Sequence, residues 1–466
     1  MSLELTTVSA ARLADLIRRR EVSPVEAAAA YLRRVESLNP GLNAVVTLAP
    51  DVLERARAAE RELMRGAAGG VLHGVPVTVK DTIDVGGLRA TAGSAARARR
   101  VAERDAGAVA RLRAAGAVVL GKTNCSEMAL DYTTDNPVFG RTLNPHNPAY
   151  TPGGSSGGCA AAVAACLTAG SLGSDLAGSV RIPAHFCGVA ALRPTADRVP
   201  RDGHCPPVTG AYTLGASLGP LARGVEDLRL FFGALSLAPP AEAITLRGLR
   251  AAWYADRGEA RVTGETRAAV RDAAAALAGA GLEVSEERPP GVERATELWL
   301  ALFSGATRQF LRAAYAGRER EAGPAARALL EREANPSAAG DFAKALERRD
   351  LLRAELLRWM EATPLFVAPV GAVPAFRHEE ARRVEVGGRS VPVFRAFGHA
   401  QACNVFDLPA ACVPAGRTRE GLPVGVQIVG RPFEEELVLA AAAAVERALG
   451  GWRPPATLPH GGPNRV

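Results

Sequence analysis

Short apolar runs separated by helix-length segments recur along this chain, and that alternation restricts it to an α/β architecture. Val75-Pro76-Val77-Thr78-Val79-Lys80 alternates apolar with other residues as a strand does, which puts Lys80 at the strand end. Asp105 then reads as the cap of a helix running to about Ala115, and Ala117 to Leu120 as a short buried strand. Cys159 to Ala169 reads as an Ala-rich helix narrow enough to pack closely, Ser171 to Leu176 as a strand or extended segment, and Ala177-Gly178-Ser179 as the turn after it. Further strands are expected at Arg250 to Tyr254, Leu282 to Val284 and Leu365 to Ala368. Gly421 to Gly430 reads as a turn and strand, followed by a helix from about Glu434 to Leu449.

The first sixty residues read as helical scaffold. Ser9 to Arg20 is one helix, and Ser23-Pro24-Val25-Glu26 is a capping box with Pro at the first helical position, opening another to about Glu36. Asn144 to Gly158 is a Pro- and Gly-rich loop, and 237–395 is mostly helical, the region where substrate-specific elaboration belongs. A chain of 466 residues buries a sizeable core without staples. Its 7 cysteines include no Cys-x-x-Cys pair, which indicates neither a disulfide framework nor a zinc site but small buried thiols in a reducing compartment. No apolar run reaches membrane-spanning length, and Met1 to Ala11 lacks the basic start and apolar stretch of a signal peptide, so a soluble, cytoplasmic protein off the membrane is expected.

The formal charge is +7, yet the arginines are spread along helices opposite glutamates rather than clustered with aromatics, which argues against a nucleic-acid partner. Of 56 basic residues only Lys80, Lys122 and Lys344 are lysine. Arg does not give up its proton in a protein whereas a buried Lys does, so such a chain keeps Lys where a neutral amine is needed.

Two short patterns match well-known motifs and fail on context. Gly116-Ala-Val-Val-Leu-Gly121-Lys122-Thr123 fits the phosphate-loop pattern letter for letter, but Ala117 to Leu120 is itself the expected strand, which leaves no amide nest. Gly153-Gly154-Ser155-Ser156-Gly157 fits the nucleophile elbow of a Ser-His-Asp α/β-hydrolase. Pro-rich loop precedes Ser155, however, and the candidate histidines His378 and His399 carry no supporting context. A purely structural Gly-Ser loop is a further reading of the same residues.

A third reading takes that loop with what flanks it. Gly-Val-Pro-Val-Thr-Val-Lys80-Asp81, Pro152-Gly-Gly-Ser155-Ser156-Gly-Gly and Gly173-Ser-Asp175-Leu-Ala-Gly178-Ser179-Val-Arg181-Ile-Pro183-Ala closely resemble the amidase signature family. The resemblance extends through Gly121-Lys-Thr-Asn124-Cys-Ser-Glu127 and Gly421-Leu-Pro-Val-Gly-Val-Gln427-Ile-Val-Gly430-Arg-Pro, weakening over 237–395. It implies a large mixed β-sheet covered by α-helices on both faces. The whole of 1–466 is then one domain, with N-terminal helices at 1–65, a catalytic core at 70–235, the variable region at 237–395, and a return to the sheet with the last helix at 396–466. It implies Ser179 as nucleophile, Ser155 as a bridging serine on a cis peptide and Lys80 as base. A neutral lysine taking a proton through a hydroxyl that both donates and accepts is chemically coherent, and burial at a strand end lowers the lysine pKa. The oxyanion is assigned to the backbone N–H groups of Leu176, Ala177, Gly178 and Ser179. Ala177 stands where the family usually has Gly, which adds strain if that position requires a positive φ and none otherwise.

Asp175 and Arg181 flank the nucleophile either as catalytic charges or as an ion pair bracing the turn, and Ser156 either supports the triad or stabilises its loop. Met128, Tyr132 and Phe139 line the pocket or belong to the core, and Trp299, Phe303 and Phe310 fall along a helix as core or as a substrate lid. No metal or cofactor is called for, since the triad supplies every role. The expected substrates are small neutral amides and anilides, with carbamates (urethanes) and aryl esters as further candidates, handled by a monomer or homodimer. The family alternative is the glutaminase subunit of a tRNA-dependent amidotransferase. That subunit carries Ser-x-Tyr-Gly and Ala-Ser-Ser-Leu-Asp stretches where this chain has Gly203-His-Cys-Pro-Pro-Val and Gly215-Ala-Ser-Leu-Gly-Pro220.

Overall fold

The computed structural model describes residues 4–67, 69–238, 244–257, 261–331 and 338–456. Its first strands are β1 (Val45–Leu48), β2 (Pro76–Lys80), β3 (Val118–Thr123), β4 (Gly170–Asp175), β5 (Ala190–Arg193) and β6 (Ser217–Ala222). Next come β7 (Arg250–Trp253), β8 (Glu283–Glu286), β9 (Leu365–Pro369), β10 (Arg383–Val386), β11 (Arg389–Pro392), β12 (Ala410–Arg417) and β13 (Pro423–Gly430). All but β10 and β11, which form their own hairpin, join one 11-stranded sheet in the order β1-β3-β2-β4-β6-β5-β12-β13-β9-β7-β8. The sheet is mixed. β2 runs parallel to β3 and β4, with Lys80 opposite Thr123 and Val79 opposite Leu172, whereas β4, β6, β5, β12 and β13 pair antiparallel. The carboxyl ends of three parallel strands therefore open at one edge, the place where α/β sheets bind ligands.

Alternation along each strand sorts side chains between two helical layers. On β12, Ala411 and Val413 pack into the cluster that holds Val225, Val270 and Val438, whereas Cys412 joins Val163, Ile182 and Phe186 on the other face. The same rule applies to β2: Val77 and Val79 enter the first cluster, which leaves Lys80 on the opposite face. Among the described residues no helix is long and apolar enough to cross a membrane.

Most expected elements form within a few residues of their anticipated ends. The Ser23 capping box is complete, Ser9 caps the helix Ala10–Arg18, and the last helix is Glu435–Leu449. Asp105 is not a helix cap: the helix is Gly107–Ala114, capped at Ala106. The Asp105 carboxylate instead accepts the Gly86 N–H at 2.7 Å and pairs with Arg113 at 2.9 Å, while distant Asp202 accepts the Gly107 N–H at 3.1 Å. The Ala-rich helix spans Gly157–Ala164, shorter than expected, because Cys166 turns left-handed (φ 57) and Ala169 then bonds to Pro76 O to begin the sheet. The phosphate-loop reading fails as expected. Gly121, Lys122 and Thr123 lie inside β3, and Lys122 faces Asp81 at 3.7 Å.

Helix Gly157–Ala164 is buried along its whole length and approaches neighbouring backbone directly. A Cβ at Gly158 would collide with the backbone N and O of Asn124 and lie 2.9 Å from Ala44 O. Gly158→Ala is therefore expected to cost about 1–3 kcal/mol through overpacking, read as a lowered thermal midpoint, while Gly233→Ala, in open space inside the helix Val225–Leu235, is expected to raise the midpoint slightly.

Candidate active site

Lys80 is fully buried at the end of β2, and its Nζ lies within hydrogen-bond distance of Ser155 Oγ at 2.6 Å and of Ser174 Oγ at 3.0 Å. Burial in an apolar sheet disfavours the ammonium form and brings its pKa down to about 8. Lys122 is equally buried but has a carboxylate for company, whereas the bonded neighbours of Lys80 are hydroxyls. Lys344 is exposed.

Ser155 follows the peptide Gly154–Ser155, which is cis, and precedes helix Gly157–Ala164. The loop is fixed by Gly157 N–H donating to Thr134 Oγ1 at 3.0 Å and by Ser126 N–H donating to Ser155 O at 3.3 Å. The Ser156 N–H donates to Ser179 O at 3.1 Å, which ties the two serine segments together. The Ser156 hydroxyl bonds to Ser174 O at 3.3 Å and so braces the loop against β4. Ser179 lies in the turn between β4 and helix Arg181–Cys187 and keeps 7% of its surface exposed, against 0% for Lys80 and Ser155.

Asp175 organises that turn. Its carboxylate accepts the N–H groups of Gly178 at 2.8 Å and Val180 at 3.1 Å, and the guanidinium of Arg181 grips both oxygens at 3.0 and 3.2 Å. Arg181 also donates to Gln427 Oε1 at 2.6 Å and Asn404 Oδ1 at 2.9 Å, so the motif at Gln427 and the helix Gly398–Val405 converge on one buried network. Burial alone would raise the Asp175 carboxyl, but the charge and hydrogen bonds of Arg181 outweigh it and hold it at about 2. The pair therefore acts as a brace.

Gly178 departs from the expected set of four oxyanion donors, because its N–H is committed to Asp175. The carbonyls of the turn are held from outside: Trp299 Nε1 donates to Leu176 O at 2.7 Å and Tyr132 OH to Ala177 O at 2.8 Å. In a trans peptide the N–H points away from the carbonyl, so anchoring Leu176 O fixes the direction of the Ala177 N–H. Ala177 does not adopt a positive φ, so alanine there brings no strain; at Gly178, with φ 105, a Cβ would meet Ala400 and Ile182.

A cavity of about 400 Å³ opens beside Ser155 and Ser179, with Met128, Tyr132, Leu176, Val208, Trp299 and Phe394 among its walls. Phe394 stacks on Tyr132 with centroids 5.8 Å apart and meets Trp299 edge-on at 4.8 Å. Met128 and Tyr132 thus line this cavity. Phe139 does not: it packs under the Arg89 guanidinium at 5.3 Å, its carbonyl held by Asn43 at 2.7 Å. Of the helical aromatics, Trp299 lines the cavity, Phe303 is core, and Phe310 packs against the cluster around Met128. His399 and His378 bond to the carbonyls of Ala255 and Pro148 rather than to a serine. The histidine that lines the cavity is His204, 2.9 Å from Ser174 Oγ. Sequence reasoning passed it over, quoting Gly203-His-Cys-Pro-Pro only as a departure from another pattern.

A mixed, helix-covered α/β sheet whose parallel strand ends carry a buried amine and two serine loops defines a hydrolase class acting on carbon–nitrogen bonds. The family model described as Amidase matches residues 26–439, and the chain belongs to that family, the amidase signature enzymes. It is similar to an indoleacetamide hydrolase from Bradyrhizobium diazoefficiens, 34% identical over 95% of this chain and 86% of that protein. It is also 36% identical to the A-type subunit of a glutamyl-tRNA(Gln) amidotransferase from Thermus thermophilus, over 93% of this chain and 95% of that relative. The solved structure of a 6-aminohexanoate cyclic dimer hydrolase complexed with substrate superimposes with a TM-score of 0.84 at 29% identity, covering 98% of this chain and all of that one.

Removing one partner of a buried ion pair leaves the other charge uncompensated. Arg181→Met is expected to destabilise the protein by about 3–5 kcal/mol, measured by denaturant unfolding, and to lower activity with it.

Proposed function

We propose that the protein is a self-sufficient amidase for small neutral amides bearing an apolar or aromatic group, acting through an acyl-enzyme on Ser179. The observation that carries this reading is the 2.6 Å contact between a fully buried, weakly basic lysine amine and the Ser155 hydroxyl. In this reading the neutral Lys80 accepts the Ser155 proton as Ser155 accepts that of Ser179, and Ser179 Oγ attacks the carbonyl carbon. The N–H groups of Leu176, Ala177 and Ser179 receive the developing oxyanion. The proton on Lys80 returns through Ser155 to the leaving amine as the C–N bond breaks, and water repeats the sequence to release the acid. Carbamates and aryl esters present the same carbonyl, and anilines, as weakly basic leaving groups, ease the demand for proton donation. The aromatic walls of the cavity and the likeness to an indoleacetamide hydrolase favour an apolar acyl group.

A second reading, the glutaminase subunit of a tRNA-dependent amidotransferase, is favoured by the 36% identity to one such protein. Against it stand Gly203 to Val208 and Gly215 to Pro220, which lack that subunit's sequence pattern. Comparing kcat/KM for a 4-nitroanilide, an N-aryl carbamate, a simple primary amide and glutamine separates the two. The aryl substrates are expected to lead; preference for glutamine, with co-purification of partner subunits, moves the assignment to the second reading.

Ser179→Ala is expected to abolish turnover, and Lys80→Ala or Ser155→Ala to lower it at least about 100-fold, with Lys80→Arg no better than alanine because Arg stays charged. The base works only when deprotonated, so kcat/KM of the wild type should rise with pH through about 8 and then level off. A labelled acyl group on Ser155, or a flat profile between pH about 6 and about 9, would contradict the assignment.

A further inference from the structure

The Ser174 hydroxyl has a neighbour on each side: Lys80 Nζ at 3.0 Å and His204 Nε2 at 2.9 Å. On the far side of the imidazole, Nδ1 lies 2.7 Å from Pro206 O. A carbonyl oxygen only accepts, so Nδ1 carries the hydrogen and, in a neutral ring, Nε2 is left as an acceptor. Burial, and the charge of Lys80 while it is protonated, outweigh the Pro206 hydrogen bond and the field of Asp84 and bring the ring's pKa down to about 4. The loop is anchored beside the strand that carries Lys80: Asp84 N–H donates to Gly203 O at 2.8 Å and Cys205 N–H to Thr82 O at 2.8 Å.

These contacts determine where every hydrogen lies. Ser174 has one hydrogen, and a lone-pair acceptor at Nε2 claims it, so the oxygen turns a lone pair toward Lys80 and Lys80 must donate to it. A neutral amine has two hydrogens and one lone pair. With one hydrogen directed at Ser174, the lone pair is free for the Ser155 hydroxyl at 2.6 Å, the orientation a general base requires. Without His204 the Ser174 hydroxyl is free to rotate and donate to Lys80, occupying the lone pair that Ser155 needs. We propose that His204 is a positioning residue for the amidase reaction, which acts through Ser174 to aim the Lys80 lone pair at Ser155. This rests on the assignment of Lys80 as base.

The test is a double-mutant comparison on an aryl amide, with kcat and KM measured separately for His204→Phe, Ser174→Ala and the two combined. His204→Phe should lower kcat at least about tenfold with KM held within about threefold, because proton transfer and not binding is disturbed. Adding Ser174→Ala should cause no further loss and should restore part of kcat, since it deletes the misdirected donor. Losses that multiply, a change confined to KM, or a kcat within about threefold of wild type would each overturn the proposal. Should His204→Phe fail to fold, His204→Gln keeps the question open to measurement. Its amide retains one donor for Pro206 and one acceptor for Ser174, so kcat should stay within about fivefold of wild type, and a larger loss counts against the proposal. Lys80→Ala run alongside distinguishes the two levels: activity surviving in that variant removes the base itself, whereas an inactive Lys80→Ala beside an unaffected His204→Phe removes only the role of the histidine.

Discussion

The bond between Arg181 and Asp175 is the constraint on which the site depends. One carboxylate gathers the N–H groups of Gly178 and Val180 and so folds the turn that presents Ser179, while one guanidinium secures that carboxylate to Gln427 and Asn404. Those partners lie more than two hundred positions away in sequence, on β13 and on the helix Gly398–Val405. A buried ion pair is weak evidence for net stability, since desolvation offsets much of the attraction. Its value here is geometric: it makes the turn that carries Ser179 and the distant half of the sheet parts of one rigid body.

How much of this was readable beforehand depended on whether the cause was local. The capping box at Ser23 and the alternation ending at Lys80 were legible because neighbouring residues decide them. Asp105 misled because a carboxylate before a helix is a good cap only if nothing else claims it, and Gly86 and Arg113 do. The strands β1, β5, β6 and β12 went unread: β1 is only four residues, and β5, β6 and β12 are rich in Ala, Gly or Pro, so pairing in the sheet rather than propensity carries those three. The hairpin of β10 and β11 was missed although Gly387-Gly388 between two alternating runs announces it.

The candidate site follows the same division. Motif spacing brought Lys80, Ser155 and Ser179 to notice, and the structure places Lys80 against Ser155 and Ser179 in the segment bonded to Ser156. What a motif cannot convey is which hydrogen-bonding groups are already engaged. Gly178 drops out of the expected oxyanion donors for that reason, and His204 enters the candidate site because its partners come from β4 and from its own loop. Phe139 follows the motif that ends at Glu127 just as Met128 and Tyr132 do, yet its ring ends under Arg89.

Trp299 and Tyr132 form walls of the cavity and also hold the carbonyls of Leu176 and Ala177. Under the proposed function, selectivity and chemical power are therefore not separable by position: a lineage that exchanges either ring to admit a different acyl group also loosens the peptide units beside Ser179. Phe394 touches both rings and holds neither carbonyl, so divergence in substrate range has its least costly path through that residue and the hairpin leading into it.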